Sequence, residues 1–170
     1  RLRRIIRAVD ESSRSAGQLL DHATVAFRAE ALVRDPVDLS QLALRTVASI
    51  RPTATMRDIE ITLRTDPAPV LGDPVLLDTA LRNVLDNAIK YSDSGAAVSV
   101  VVRVASLNPK TVEGSIERRA ELSVSDSGIG IPDRDLGRIF ERFYRVSRER
   151  SRATGGSGLG LAICQKIVQA

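Results

Sequence analysis

The sequence has 170 residues, 43% apolar and 27% charged, room for one ordinary domain with a core plus an appendage. Its formal charge is +4, with seven arginines among residues 1–34 and seven more between Arg134 and Arg152, but only 3% aromatics leave few base-stacking platforms, so no nucleic-acid partner is expected. One cysteine, Cys164, excludes an internal disulfide and a cysteine-based zinc site, and the most apolar run, "VSVVVRV" from Val98, is strand-sized rather than membrane-sized.

The chain opens at Arg1 with neither a methionine nor a secretory signal, and reads as a piece of a longer protein. Residues 1–30 carry heptad spacing: Ile6, Ser13, Leu20 and Phe27 fall seven apart, beside a column of Leu2, Val9, Ala16 and Ala23. That spacing predicts a helix packed in a bundle. Pro36 pushes Asp35 out of helical geometry, which divides the chain into 1–33 and 36–170. Asp38 with Gln41 is a capping-box pattern. Leu39, Leu42, Ala43, Thr46, Val47 and Ile50 then mark one face of a helix expected to stop near Pro52. "IEITL" from Ile59 alternates as a strand, and "DPAPVLGDP" reads as a turn-rich connection. Asp73 and Pro74 open the next helix, with proline in the first turn, where its missing N–H does no harm. "VSVVVRVA" and "ELSVSD" are further strands, joined by a polar loop around residues 108–118. A short helix is expected near Leu136 to Tyr144, then an arginine-rich loop, then a last helix from Leu161.

In the helix that Pro74 opens, Leu77, Leu81, Val84, Leu85 and Ala88 share one arc at about 100° per residue, the expected core face. Asn83, Asn87, Lys90 and Tyr91 follow one another at spacings of four, three and one, and form a polar ridge beside it. Asparagine is a mediocre helix former, so two of them in a helix interior ask for a reason. A ridge of neutral oxygens, one cation and one amphipathic ring suits a ligand that is anionic, metal-bearing and flat. An asparagine oxygen can ligate Mg²⁺, which takes few protein ligands and keeps waters and phosphates. Lys90 would neutralise phosphate, and Tyr91 could cover a ring. A solvated helix flank is the plain alternative.

Two glycine motifs favour the ligand. "DSGIGIP", Asp126 to Pro132, follows a strand directly. A carboxylate there can accept a hydrogen bond from an exocyclic amine, while Gly128 and Gly130 let a flat base approach the backbone. "GGSGLG", Gly155 to Gly160, leads into the apolar helix "LAICQKIV". Backbone N–H groups at a helix start form an anion site. It is neither a dinucleotide fingerprint nor a Walker loop, because no strand closely precedes it and no Lys-Ser/Thr follows. Each motif alone is weak; the three in this order are strong.

With those residues in view, the sequence resembles the ATP-binding domain of two-component sensor histidine kinases. "LRNVLDNAIKYS" resembles the family's asparagine box, "DSGIGIP" its first glycine box, "IFERFYR" its phenylalanine box and "GGSGLGLAI" its second glycine box. The likeness runs from about Pro36 to the C-terminus. It implies an α/β two-layer sandwich of the Bergerat type, a mixed sheet packed on helices, with ATP and Mg²⁺ as ligands. It implies Asn87 as the Mg²⁺ ligand, Asn83 and Lys90 near the phosphates, and Tyr91 flanking the adenine. Asp126 would read the adenine amine above Gly128 and Gly130, and Gly156, Gly158 and Gly160 would meet the triphosphate. Ile131 and Leu159 also count among the nucleotide-binding residues, and Phe140 and Phe143 would anchor a lid.

The same resemblance makes residues 1–33 the second helix of a dimerisation and phosphotransfer bundle, with a homodimer and a response-regulator receiver domain as partners. The phosphoacceptor histidine is then expected upstream of Arg1, so no catalytic residue falls within this stretch. His22, the sole histidine, lacks the acidic residue and proline that usually follow the acceptor. The chain stops at "QKIVQA", where the family continues with two strands, so C-terminal strands are expected to be missing. The domain would be cytoplasmic, its parent anchored in the inner membrane. Two other functions compete: an ATPase of the gyrase or chaperone type, and a dimerisation module without nucleotide. The ATPases place a glutamate four residues before the metal asparagine; here that position is Asn83, whose neutral amide cannot take a proton from water.

Overall fold

The structure, a computed structural model, describes residues 34–106, 118–146 and 156–169. The bundle helix expected over residues 1–30, with Leu20, His22 and Phe27, lies outside them. The described residues fall into two compact units, one spanning Arg34–Ile129 and another beginning at Gly130.

The first unit runs β1 (Asp35–Asp38), α1 (Leu39–Thr55), β2 (Glu60–Thr65), β3 (Pro69–Gly72), α2 (Pro74–Tyr91), β4 (Ala97–Ser106) and β5 (Arg118–Asp126). Helix α1 starts where Asp38 Oδ1 accepts from Ser40 N at 2.9 Å as an N-cap, and hydrogen bonds from the Ser40 side chain first and its backbone second hold the Asp38 carboxyl below its usual pKa. The same oxygen accepts from Ala68 N at 3.2 Å, tying the helix start to the segment before β3. The helix runs through Pro52 to Thr55, three residues past the expected stop. Pro52 has no N–H for the carbonyl of Ala48, and both residues are exposed. The stretch read as a turn-rich connection contains a strand. There β3 pairs antiparallel with β1, Val37 opposite Val70, as a two-stranded ribbon whose Pro36 and Pro69 are tolerated at its edges.

Strand β2 runs parallel to β4, with Ile61 opposite Val98, and β4 runs antiparallel to β5, with Val100 opposite Val124. A parallel pair needs a long crossover, and α2 lies within the one that joins β2 to β4. Alternation along β4 turns Val98, Val100 and Val102 inward, where they are fully buried. They pack with Leu42, Ala43, Val47 and Ile50 of α1 and with Leu81, Leu85, Ala88 and Ile89 of α2. The result is two layers, helices on one face of a mixed sheet.

Helix α2 begins as expected: Asp73 Oδ1 accepts from Val75 N at 2.8 Å and Leu76 N at 3.2 Å, and Pro74 follows it. Its core face is the expected one at Leu81, Leu85 and Ala88, with Leu77 half-buried against the cluster; Val84 is half-buried outside the cluster, and Ile89 is buried within it instead.

The second unit holds α3 (Asp133–Leu136) and α4 (Gly160–Gln169). The helix expected over Leu136 to Tyr144 is one helical turn placed earlier, followed by tight turns. Arg138 N donates to Asp135 O at 2.9 Å and Glu141 N to Arg138 O at 2.8 Å, an i→i+3 pattern. Phe143, at φ 62, cannot continue a right-handed helix, and its N–H donates instead to Gly158 O at 3.0 Å. Among the described residues no helix is long and apolar enough to cross a membrane.

Candidate functional site

The polar ridge of α2 lies where its spacing puts it. Asn83, Asn87, Lys90 and Tyr91 are all half-buried, between the core residues Leu85 and Ala88 and the exposed Arg82 and Asp86. Asn83 Nδ2 donates to Thr79 O at 3.0 Å, so the amide nitrogen is engaged with the helix backbone. Lys90 Nζ lies 4.8 Å from the centroid of the Tyr91 ring, a cation–π approach that sets ammonium and ring side by side.

The first glycine segment is fastened to the end of this helix. Gly128 N donates to Asp126 Oδ1 at 2.9 Å, a side-chain turn at the end of β5. Ile129 N donates to Tyr91 O at 3.2 Å and satisfies a carbonyl that the helix end leaves open. A Cβ at Gly128 would lie 2.5 Å from Tyr91 O and 2.8 Å from Asp126 Oδ1. Gly128 is therefore required by the protein's own packing, a reason additional to the approach of a flat base. Ser127 Oγ bridges to the strand start, within 3.4 Å of both Ala97 N and Ala97 O. Asn83, Asn87, Lys90, Tyr91, Asp126 and Gly128 thus share one unit, with Tyr91 and Asp126 joined through a single short loop.

Gly130, Ile131 and the second glycine segment belong to the other unit. Gly130 has φ 68 with open space where a side chain would go, so its constraint is conformational, and Ile131 is exposed. Gly156 and Gly158 also have positive φ, 108 and 74. Ser157 Oγ accepts from Leu159 N at 3.2 Å, Leu159 is buried, and Gly160 is the first residue of α4. The first N–H groups of a helix have no partner within it, which is the feature an anion site at a helix start uses. Phe140 and Phe143, expected as apolar anchors, are 41% and 66% exposed. Phe143 also donates its backbone N–H to Gly158 O.

Asn87, a half-buried neutral amide, fits a Mg²⁺ ion held chiefly by phosphates and waters. Among the described residues no group of three or more His, Cys, Asp and Glu side chains converges as an all-protein cage would.

Three features escaped the sequence reading. Arg57 Nη1 donates to Ile89 O at 2.9 Å, across 32 residues. Tyr144 donates its hydroxyl to the buried Asp135 at 2.6 Å, which raises the phenol's pKa, and the Arg138 guanidinium stacks 4.2 Å from its ring. Ser127 supports the end of the sheet. Arg57 and Ser127 meet partners some 30 residues away that no local pattern marks, and the Tyr144 contacts depend on tight turns where a helix was expected.

A sheet backed by two helices, an asparagine ridge and a glycine turn locked to its end define a class. The chain belongs to the histidine kinase-, DNA gyrase B- and HSP90-like ATPase family, whose pattern matches residues 72–170. Within that family it is homologous to sensor histidine kinases. The sensor-like histidine kinase SenX3 of Mycobacterium tuberculosis is 44% identical over 135 residues, which cover 77% of this chain and 30% of SenX3. The solved structure of the mycobacterial sensor histidine kinase MprB aligns with a TM-score of 0.65 at 36% identity, over 81% of this chain and 79% of that one. Full-length ShkA, solved in complex with AMPPNP, aligns with a TM-score of 0.64 at 27% identity, over 96% of this chain and 33% of ShkA. The chain spans about a third or less of the length of the curated relatives it matches.

Proposed function

We propose that this chain is the ATP-binding catalytic part of a two-component sensor histidine kinase. It would promote transfer of the ATP γ-phosphoryl group to a histidine on an upstream helix, and from there to an aspartate of a response-regulator receiver domain. The bond from γ-phosphorus to the bridging oxygen breaks, a P–N bond to the imidazole forms, and ADP leaves. Asp126 accepts from the adenine amine, Tyr91 flanks the ring, and Asn83 and Lys90 lie toward the phosphates. Asn87 would hold Mg²⁺, which neutralises phosphate charge when bound. Gly128 and Gly130 border the adenine with Ile131, and Gly156, Gly158, Leu159 and Gly160 serve the triphosphate. Residues 1–33 would supply the second helix of the dimerising bundle, and the parent would be anchored in the inner membrane with this part cytoplasmic. The AMPPNP complex of ShkA supports a nucleotide as the ligand.

The observation that carries transfer over hydrolysis is Asn83. Its Nδ2 is committed to Thr79 O, and its remaining oxygen is a neutral amide carbonyl that cannot deprotonate water near pH 7. The test is to incubate the full-length protein with γ-labelled ATP and Mg²⁺. Acid-labile, base-stable label is expected on a histidine upstream of this chain and absent from His22. Free phosphate with no protein-bound label would replace this reading with hydrolysis.

A further inference from the structure

The last turn of a helix leaves carbonyls with no partner inside it. At the end of α2, two of these are taken from outside: Tyr91 O accepts from Ile129 N at 3.2 Å, and Ile89 O from Arg57 Nη1 at 2.9 Å. Arg57 lies in the turn between α1 and β2, far off in sequence. Its neighbour Asp58 reaches the same place. Asp58 has φ 58, a conformation that aspartate tolerates better than most residues. Its Oδ2 accepts from Ser94 Oγ at 2.8 Å, and its carbonyl accepts from Gly95 N at 2.8 Å. Arg57 therefore holds the helix end while Asp58 holds the loop that leaves it for β4.

The turn so held carries Asn87, Lys90 and Tyr91, and through Tyr91 O and Ile129 N it also carries the Asp126–Gly128 turn. We infer that Arg57 is a positioning residue for the adenine half of the nucleotide site, a role that rests on the ATP reading above. It acts through the Ile89 carbonyl, setting the rise and rotation of the last turn of α2 and hence the placement of Tyr91 beside Asp126. A cation at a helix C-terminus also complements the helix dipole. Arg57 is exposed and makes one bond to backbone, so its loss shifts the helix end more than it weakens the fold.

Calorimetric titration of ADP and ATP into the full-length protein tests this, comparing wild type, R57A, R57K and V47A. Val47 is a buried residue of α1, and its truncation serves as a destabilising control. R57A is expected to weaken ADP and ATP alike, by about three- to tenfold, the effect of one hydrogen bond. R57K, which restores a donor, should recover most of that loss. The rate of phosphoryl transfer at saturating ATP should stay within about twofold of wild type, because only binding is misplaced. V47A should lower the melting temperature without moving affinity. Should R57A not fold, R57Q takes its place, with the same weakening expected from its shorter reach. Affinity unchanged in the Arg57 variant, or lowered equally in V47A, would overturn the inference alone. An unsubstituted protein that binds no ADP would overturn the ATP reading, and the inference with it.

Discussion

In the proposed site the two oxygens of Asp126 would serve separate partners. Oδ1 accepts from Gly128 N at 2.9 Å and shapes the turn, so Oδ2 is the atom that an adenine amine would meet. Asp126→Asn keeps an oxygen for Gly128 and presents an NH₂ group to the ligand, which opposes donor to donor. ATP affinity should fall roughly ten- to hundredfold, as for a lost hydrogen bond to a charged group, with the fold intact. Equal affinity in a titration of both proteins would remove Asp126 from the site. Asp38 makes a different residue-scale prediction. Its folded pKa lies below the ordinary value of 3.8, chiefly through the side-chain hydrogen bond with Ser40. A depressed carboxyl adds stability above the unfolded pKa and loses it as pH falls through the folded one. The melting temperature of Asp38→Ala should therefore trail wild type most above about pH 4, with the gap closing as acid protonates the wild-type carboxyl. A gap that stays constant down to pH 2 would contradict this role for the charge.

Among the elements, α2 was the most legible. Its Asp-Pro start, its apolar arc and its ridge all follow from nearest-turn geometry, and the boundary at Pro74 matches. The error in its core face came from treating every apolar residue on the arc as equal. Ile89 is buried in the core cluster and Val84 is only half-buried outside it, a choice made by tertiary packing that spacing alone cannot weigh. The phenylalanine segment was the least legible, because apolar residues at helical spacing also occur in tight turns. There the deciding contact is Phe143 N to Gly158 O, between residues well apart in sequence. Gly158 has φ 74, and an added Cβ would lie 2.9 Å from both Phe143 C and Tyr144 O. Gly158→Ala should cost about 1–3 kcal/mol through backbone strain, read as a lower melting temperature. A melting temperature equal to wild type would mean that the Phe143–Gly158 contact does not form in solution.

At the scale of the Arg34–Ile129 unit, α1 and α2 lie on one face of the β2–β4–β5 sheet, and the candidate residues Asn87, Lys90, Tyr91 and Asp126 lie toward the end of α2 and the end of β5. The proposed dimer concerns residues 1–33, where Leu20 and Phe27 occupy one heptad column. Leu20→Asp together with Phe27→Asp would bury charges in that seam, which is strongly unfavourable. Sedimentation of the full-length protein should then show a monomer, and a dimer that survives both changes would rule out the seam.

The sequence by itself determined what short-range physics controls. Helix starts at Asp38 and Asp73 and the alternation of β4 are set by residues within about a turn of one another, and the two glycine motifs can be read as short local strings. That was enough to recognise the class of fold and to place the candidate residues on their elements. Only the tertiary structure decided that β3 is a strand, that Gly128 is held against Tyr91 O, and that Arg57 closes the end of α2. Each of these depends on groups brought together from some 30 residues or more apart, where chain closure and packing choose the partner and no local spacing records it.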